Sequence, residues 1–317
     1  MSTVPTTALR IVLALGGNAL LRRDQALTPA NQLANVRRAA TQVALVARGN
    51  ELLLTHGNGP QVGLLALQAS AYTAVPAYPL DVLGAETDGM LGYLLEQELS
   101  NRLPSRAVAT LITRVEVRLT DPAFDAPSKP IGPVYAAADA ERVAIRHGWT
   151  MAADGTGMRR VVPSPAPMRV MNLQSIRWLL SHGVLVIAGG GGGVPVAMQP
   201  AAADEPSGTP PSLQGVEAVV DKDATSALLA RDLQADVLLI ATDVPALYAD
   251  WSLPTQRPVL TATPAELSSM NFATGSMGPK VQAACDFVRA TGKRAVIGSL
   301  NDIQAMLQGT AGTQISL

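Results

Sequence analysis

A chain of 317 residues that is 48% hydrophobic carries enough apolar mass for one large α/β domain or two smaller ones. Its formal net charge of −1, with basic residues spread along the chain, leaves no basic footprint for nucleic acid. A single cysteine, Cys285, excludes an internal disulfide framework and a cysteine-based zinc site, and aromatics at 3% leave the core to Ala, Val, Leu and Ile.

The first apolar run, Ile11–Leu15, follows a lone Arg10 and ends in Gly-Gly-Asn. It predicts a core strand rather than a signal peptide, whose cleavage pattern it lacks. A helix is expected from about Thr28 to Arg48, with Thr28 as N-cap, Pro29 as first helical residue and Leu33, Val36, Ala40, Val43 and Ala47 on one apolar face. A strand at Glu51–Thr55 leads into HGNGPQ and a helix to about Ala69. A further helix covers roughly Asp81–Leu99, and a strand lies near Ala107–Ile112. The proline-rich stretch 121–168, with a helical piece at Ala138–His147, is expected to be a small subdomain inserted into one domain spanning 1–317. Then come a helix at Asn172–His182, a strand at Val184–Ala188 and the run Gly189–Gly193. Gln199–Gly215, almost without large apolar residues, is expected to be a mobile loop. Helices at Asp223–Leu233 and Pro279–Thr291, with strands at Val237–Ala241, Ala295–Ile297 and Thr313–Ser316, complete the alternation. Strands alternating with helices imply a mostly parallel sheet covered on both faces. No run is long and apolar enough to span a bilayer, so a soluble, intracellular protein is expected.

Glycine turns follow several of these strands: LGGNA (Gly16, Gly17, Asn18), HGNGPQ (Gly57, Asn58, Gly59) and the five-glycine run. In a parallel α/β sheet such turns lie beyond the carboxyl ends of the strands, where ligands bind. There backbone N–H groups and helix N-termini can face an oxyanion. Lysine usage points the same way. The chain has four lysines against twenty arginines, and three of the four, Lys129, Lys222 and Lys280, sit in motifs marked by Gly, Pro or Asp. A compact ammonium serves there where a planar guanidinium does not. Lys222 lies between Asp221 and Asp223, where a carboxylate can orient the lysine or help hold Mg²⁺; as a plain helix start, Asp223 alone would serve as N-cap. Lys280 opens a helix, where an ammonium is unfavourable by roughly 0.3–1 kcal/mol unless an anion is bound. Lys293 reads as surface charge, Cys285 as a packed thiol, and His147 and His182 as helix-end residues. His56 is equally readable as a substrate contact or a structural group. The Walker pattern is absent and GxGxxG fails at Gly63, which disfavours a nicotinamide dehydrogenase. No Ser/His/Asp or Cys/His set and no convincing acid–base pair of carboxylates is visible.

ALGGNAL, HGNGPQVGLL, DPAF with KPIGPVY, RRVVPSP, GGGGVPV, EAVVDKDATSALLA, TDVPALY and GSMGPK, in this order, resemble the bacterial carbamate kinases from about Ile11 to Leu317. That resemblance implies a three-layer α/β/α sandwich with a mostly parallel central sheet, the amino-acid-kinase fold, and a small protruding subdomain. It implies a cytoplasmic homodimer acting in arginine or purine-derivative breakdown. The implied reaction is reversible phosphoryl transfer between carbamoyl phosphate and ADP, giving ATP and carbamate, with Mg²⁺ but no protein metal ligands assigned. Carried over, Gly16, Gly17, Asn18, Gly57, Asn58 and Gly59 would bind the phosphoryl group and carbamate. Lys129 would reach over carbamoyl phosphate. Lys222 and Lys280 would contact the nucleotide phosphates, with Asp223 orienting the catalytic lysine. Gly190, Gly191, Asp243, Tyr248 and Met277 would complete the nucleotide site. The alternatives are another acid kinase of this fold, acting on glutamate, acetylglutamate or aspartate, or a non-catalytic nucleotide-binding relative.

Overall fold

The apolar runs become adjacent strands of one sheet because each is buried on both faces. The computed structural model describes residues 8–22, 25–72, 74–201, 206, 208–273 and 275–317. The side chain of Asn18 and part of the 199–215 segment lie outside the described residues. Among the described residues, an eight-stranded sheet runs Val108–Leu111, Leu185–Ala188, Glu51–His56, Arg10–Leu15, Val237–Thr242, Arg294–Ser299, Thr313–Ile315, Thr261–Ala262. Every neighbouring pair is parallel except Arg294–Ser299 with Thr313–Ile315.

Alternation along the strands divides the core in two. Val12, Ala14, Leu53, Val186, Leu238 and Ile240 pack with the helices Leu173–Ser181, Lys222–Asp232 and Met277–Thr291. Ile11, Leu13, Leu52, Leu54, Ile187 and Leu239 pack with Pro29–Ala47, Leu80–Arg102 and Ile303–Gln308. The result is the three-layer α/β/α sandwich expected from the alternation. Each fully buried Leu, Ile or Val contributes about 1.5–3 kcal/mol, so an aliphatic core compensates for scarce aromatics. Cys285 belongs to that core, and burial pushes its thiol pKa up. The helix Pro29–Ala47 starts as its sequence dictates, the Thr28 hydroxyl accepting from Asn31 N at 3.3 Å.

A second sheet of three antiparallel strands, Lys129–Tyr135, Gly157–Val162 and Thr150–Asp154, carries the helix Ala137–His147. It sits on the helix Gly59–Ala71 through a glycine contact: a Cβ at Gly63 would lie 1.9 Å from Gly132 Cα. Gly63, which spoils the dinucleotide fingerprint, is thus the seat of this small sheet. Val62, Ile131, Val162 and Val219 form a satellite core beneath it.

One expectation is corrected. Gln199–Gly215 is not loop throughout, because Ser212–Gly215 pairs antiparallel with Val196–Gln199, the end of the strand Val194–Gln199. That hairpin continues through Arg114–Glu116 to Arg169–Val170. Backbone hydrogen bonds hold this edge, so its side chains need not be apolar. Among the described residues, no helix is long and apolar enough to cross a membrane.

Candidate active site

Four neighbouring strands end on one edge of the large sheet and deliver Gly16–Gly17, Gly57–Gly59, Gly189–Gly193 and Asp243 there. The first two turns touch through their backbones. Gly57 N donates to Leu15 O at 3.1 Å, Gly16 N to Ala241 O at 2.9 Å, and a Cβ at Gly57 would lie 3.1 Å from Gly17 N. Asn58 is buried and its Nδ2 donates to Thr87 Oγ1 at 2.8 Å, so its side chain braces the turn against the helix Leu80–Arg102. His56 is fully buried behind the turn, its Nε2 3.4 Å from Asp88 Oδ1. Neither of its ring nitrogens has a hydrogen-bond partner among the described residues.

The five-glycine run has a packing cause as well. A Cβ at Gly190 would lie 1.7 Å from Asp88 Oδ1, at Gly191 2.2 Å from Asn58 Nδ2, and at Gly192 2.2 Å from Val220 O. Gly191 and Gly192 also adopt φ of 62° and 98°, the left-handed region that favours glycine. Gly189 N donates to Thr113 Oγ1 at 2.9 Å, and Thr225 Oγ1 donates to Gly192 O at 2.7 Å. Turn geometry and close packing therefore both act on this run, which the sequence marks as a turn suited to ligand binding. They also set the run directly against the Asp221-Lys222-Asp223 segment.

That segment opens the helix Lys222–Asp232, and its N-cap is Asp221 rather than Asp223. Asp221 Oδ1 accepts from Asp223 N at 2.9 Å and Ala224 N at 3.2 Å. Asp223 is thereby free to serve two lysines. Lys222 Nζ donates to its Oδ1 at 2.5 Å, and Lys280 Nζ donates to its Oδ2 at 2.9 Å. The three side chains are 8%, 14% and 3% exposed for Lys222, Lys280 and Asp223. Lys129, at the start of its strand in the small sheet, is ion-paired with the second oxygen of Asp221. Three ammonium groups from distant segments therefore hang on two carboxylates two residues apart.

The electrostatics follow from burial and partners. Burial pushes the Lys222 ammonium down to about 8 although Asp223 favours its charge. Lys280 moves the other way: burial opposes its charge, but Asp223, Asp221 and Asp243 outweigh that and raise its pKa. Burial also opposes ionisation of Asp223, yet the two ammoniums hold its carboxyl well below the usual carboxylate range. Lys280 is the fourth residue of the helix Met277–Thr291, so Asp223 offsets the cost of an ammonium near that N-terminus.

Asp243 follows its strand and accepts from Thr242 Oγ1 at 3.1 Å. Tyr248 packs edge-on against Trp251 at 5.5 Å, and Met277 is the first residue of its helix. A cleft of about 480 Å³ opens between the small sheet and two helices, with Lys129, Asp221, Gly275 and Pro279 in its lining. Lys222, Asp223, Lys280, Asp243 and the glycine turns do not line it. A second space, about 10 Å³ and no larger than a water, touches Asn58, Gly190 and Gly191. We place the site at the lysine–aspartate cluster, because its charge and not the cleft defines what binds. Among the described residues no group of three or more His, Cys, Asp or Glu side chains is placed to hold a metal. Thr87, Asp88 and Thr113 support the glycine turns from stretches that no motif in the sequence marks, and Thr225 does so from within EAVVDKDATSALLA.

Residues 9–299 match the model of the Amino acid kinase family. A carbamate kinase of Haemophilus influenzae is 55% identical over 309 residues, covering 97% of each chain. One from Rhizobium meliloti is 50% identical, over 97% of this chain and 93% of that protein. Among solved structures, carbamate kinase from Giardia lamblia bound to AMP-PNP superposes with a TM-score of 0.85 at 35% identity, covering 98% of both chains.

Proposed function

This chain belongs to the amino acid kinase family, as one of its carbamate kinases, and from that premise we propose how its residues divide the work. The reaction breaks the bond between phosphorus and the carbamate oxygen of carbamoyl phosphate and forms one to a β-phosphate oxygen of ADP. Carbamate leaves as an anion, so no proton must be supplied or removed, which accounts for the missing acid–base pair. What remains is alignment and neutralisation of charge. The turns Gly16–Gly17 and Gly57–Gly59 border the carbamoyl phosphate end, the N–H groups of Gly17 and Gly59 turned to it while those of Gly16 and Gly57 hold Ala241 O and Leu15 O, with Asn18 and Asn58 in the same turns. Lys129 covers the transferring group from the small sheet. Lys222 and Lys280 face the nucleotide phosphates, and Asp223 fixes both. Gly190 and Gly191 border the phosphates, and Asp243, Tyr248 and Met277 lie toward the nucleoside.

The observation that carries this division is the shared carboxylate: two buried ammoniums on Asp223 at a helix N-terminus, with a third on Asp221. Three ammoniums against two carboxylates leave net positive charge beside a helix N-terminus, which favours an anionic ligand. The carboxylates of Asp221 and Asp223 are engaged by lysines, so the donor set fits an Mg²⁺ that arrives on the nucleotide rather than one held by the chain. Such an ion supplies further charge neutralisation when bound. We assign the same chain a cytoplasmic homodimer, with residues 121–168 as a subdomain inserted into a single domain.

The test is ATP formation from carbamoyl phosphate and ADP, followed with a coupled assay. Failure there, together with transfer from ATP to glutamate, acetylglutamate or aspartate, would replace this reading with the other acid kinases of the fold. A pH profile refines it. Lys222 must be charged to meet phosphate, and its pKa in the free protein is about 8. Hence kcat/KM is expected to fall as pH rises through about 8, while kcat holds to higher pH because bound phosphate favours the ammonium. Parallel falls in both parameters would show that Lys222 does not face the bound anion.

A further inference from the structure

Asp221 divides its carboxylate between two tasks. Oδ1 caps the helix Lys222–Asp232, and Oδ2 pairs with Lys129, which lies 92 residues earlier on another sheet. Capping alone does not require the charge, since Asn or Ser serves as well at an N-cap. A carboxylate beside a site for phosphates also repels the ligand, so its presence calls for a compensating role. The pair is partly exposed, with side chains 29% and 20% accessible, and a pair of that kind contributes little to stability. Lys129 has what Asp221 can supply, because its flexible stem must otherwise be ordered at the expense of rotamer entropy each time a ligand binds. Lys129 and Asp221 both border the cleft between the small sheet and the helices.

We propose that Asp221 is a positioning residue for Lys129: it holds the ammonium over the phosphoryl site before carbamoyl phosphate arrives and stays paired once it has bound. An ammonium has three donors, so one can remain on Asp221 while others meet phosphate oxygens. This rests on the reading that Lys129 engages carbamoyl phosphate.

The test is a double-mutant cycle with four variants, Asp221→Asn, Asp221→Ala, Lys129→Ala and Lys129→Ala/Asp221→Asn, each measured for kcat, for the KM of both substrates and for thermal midpoint. Asp221→Asn keeps the cap, so its midpoint should match the parent, whereas Asp221→Ala should melt lower. Asp221→Asn should raise KM for carbamoyl phosphate about tenfold, within the range of coupling between contacting residues, and raise KM for ADP less, because Lys222 and Lys280 keep Asp223. Added to Lys129→Ala, it should cost nothing more. An unchanged or lowered KM for carbamoyl phosphate in Asp221→Asn, or full additivity with Lys129→Ala, overturns the proposal. Near-normal turnover by Lys129→Ala instead removes the reading of Lys129 on which it rests.

Discussion

Lys222→Ala is expected to lose more than about a hundredfold in turnover, the scale of one preorganised contact to developing charge, while the protein stays folded. The two halves of that statement have different causes. Lys222 is the buried ammonium whose pKa is pressed down to about 8, so keeping it charged in the empty site costs free energy. Such a cost persists only where a ligand makes use of it. Its removal leaves Asp223 still hydrogen-bonded to Lys280, so no carboxylate is stranded. Removal of a desolvated charge whose partner keeps another counterion should therefore change stability little. Lys222→Arg should not rescue, because a planar guanidinium cannot occupy the 2.5 Å contact of a compact ammonium without displacing its neighbours. Single-turnover ATP formation beside a urea melt separates the two effects. Near-normal turnover by folded Lys222→Ala would end the assignment of this lysine to phosphate.

The contrast between lysine and arginine was legible because arginine is the chain's default cation, which makes each lysine informative. The large sheet was legible for a different reason: strands buried on both faces, such as Arg10–Leu15 and Val237–Thr242, appear as unbroken apolar runs. Short strands flanking Val194–Gln199, Arg114–Glu116 and Ser212–Gly215, carry no such run, and backbone pairing alone defines them. The cap was ambiguous in principle. Either aspartate of the Asp-Lys-Asp triplet can cap a helix, and the choice falls on Asp221 because two lysines claim Asp223, one of them far along the chain. Likewise the glycine run announced a turn but not its neighbours. Asp88 and Asn58 press on Gly190 and Gly191 from two other elements, a long-range contact without local periodicity.

Asp223→Ala should have the larger structural effect and abolish turnover as well. Its carboxylate is the shared counterion of two ammoniums, and both are nearly buried. Removing one partner of a buried pair costs about 3–5 kcal/mol, because the remaining charge has lost its compensation; here two charges lose it and also repel each other. The protein's escape is to release a proton. Lys222 already ionises at about 8, and without Asp223 its pKa must fall further. A lysine whose folded pKa lies below its unfolded value penalises the fold most below that folded pKa. The penalty is relieved as pH rises toward the unfolded value of about 10.4. The destabilisation by Asp223→Ala should therefore be large at about pH 6 and smaller at about pH 9, in urea melts run against the parent at each pH. Lys222→Ala in the same background should restore part of the loss at the lower pH, since it removes the stranded charge itself. A destabilisation independent of pH, or no restoration by the second substitution, would mean that Asp223 supports the fold through packing rather than as a counterion.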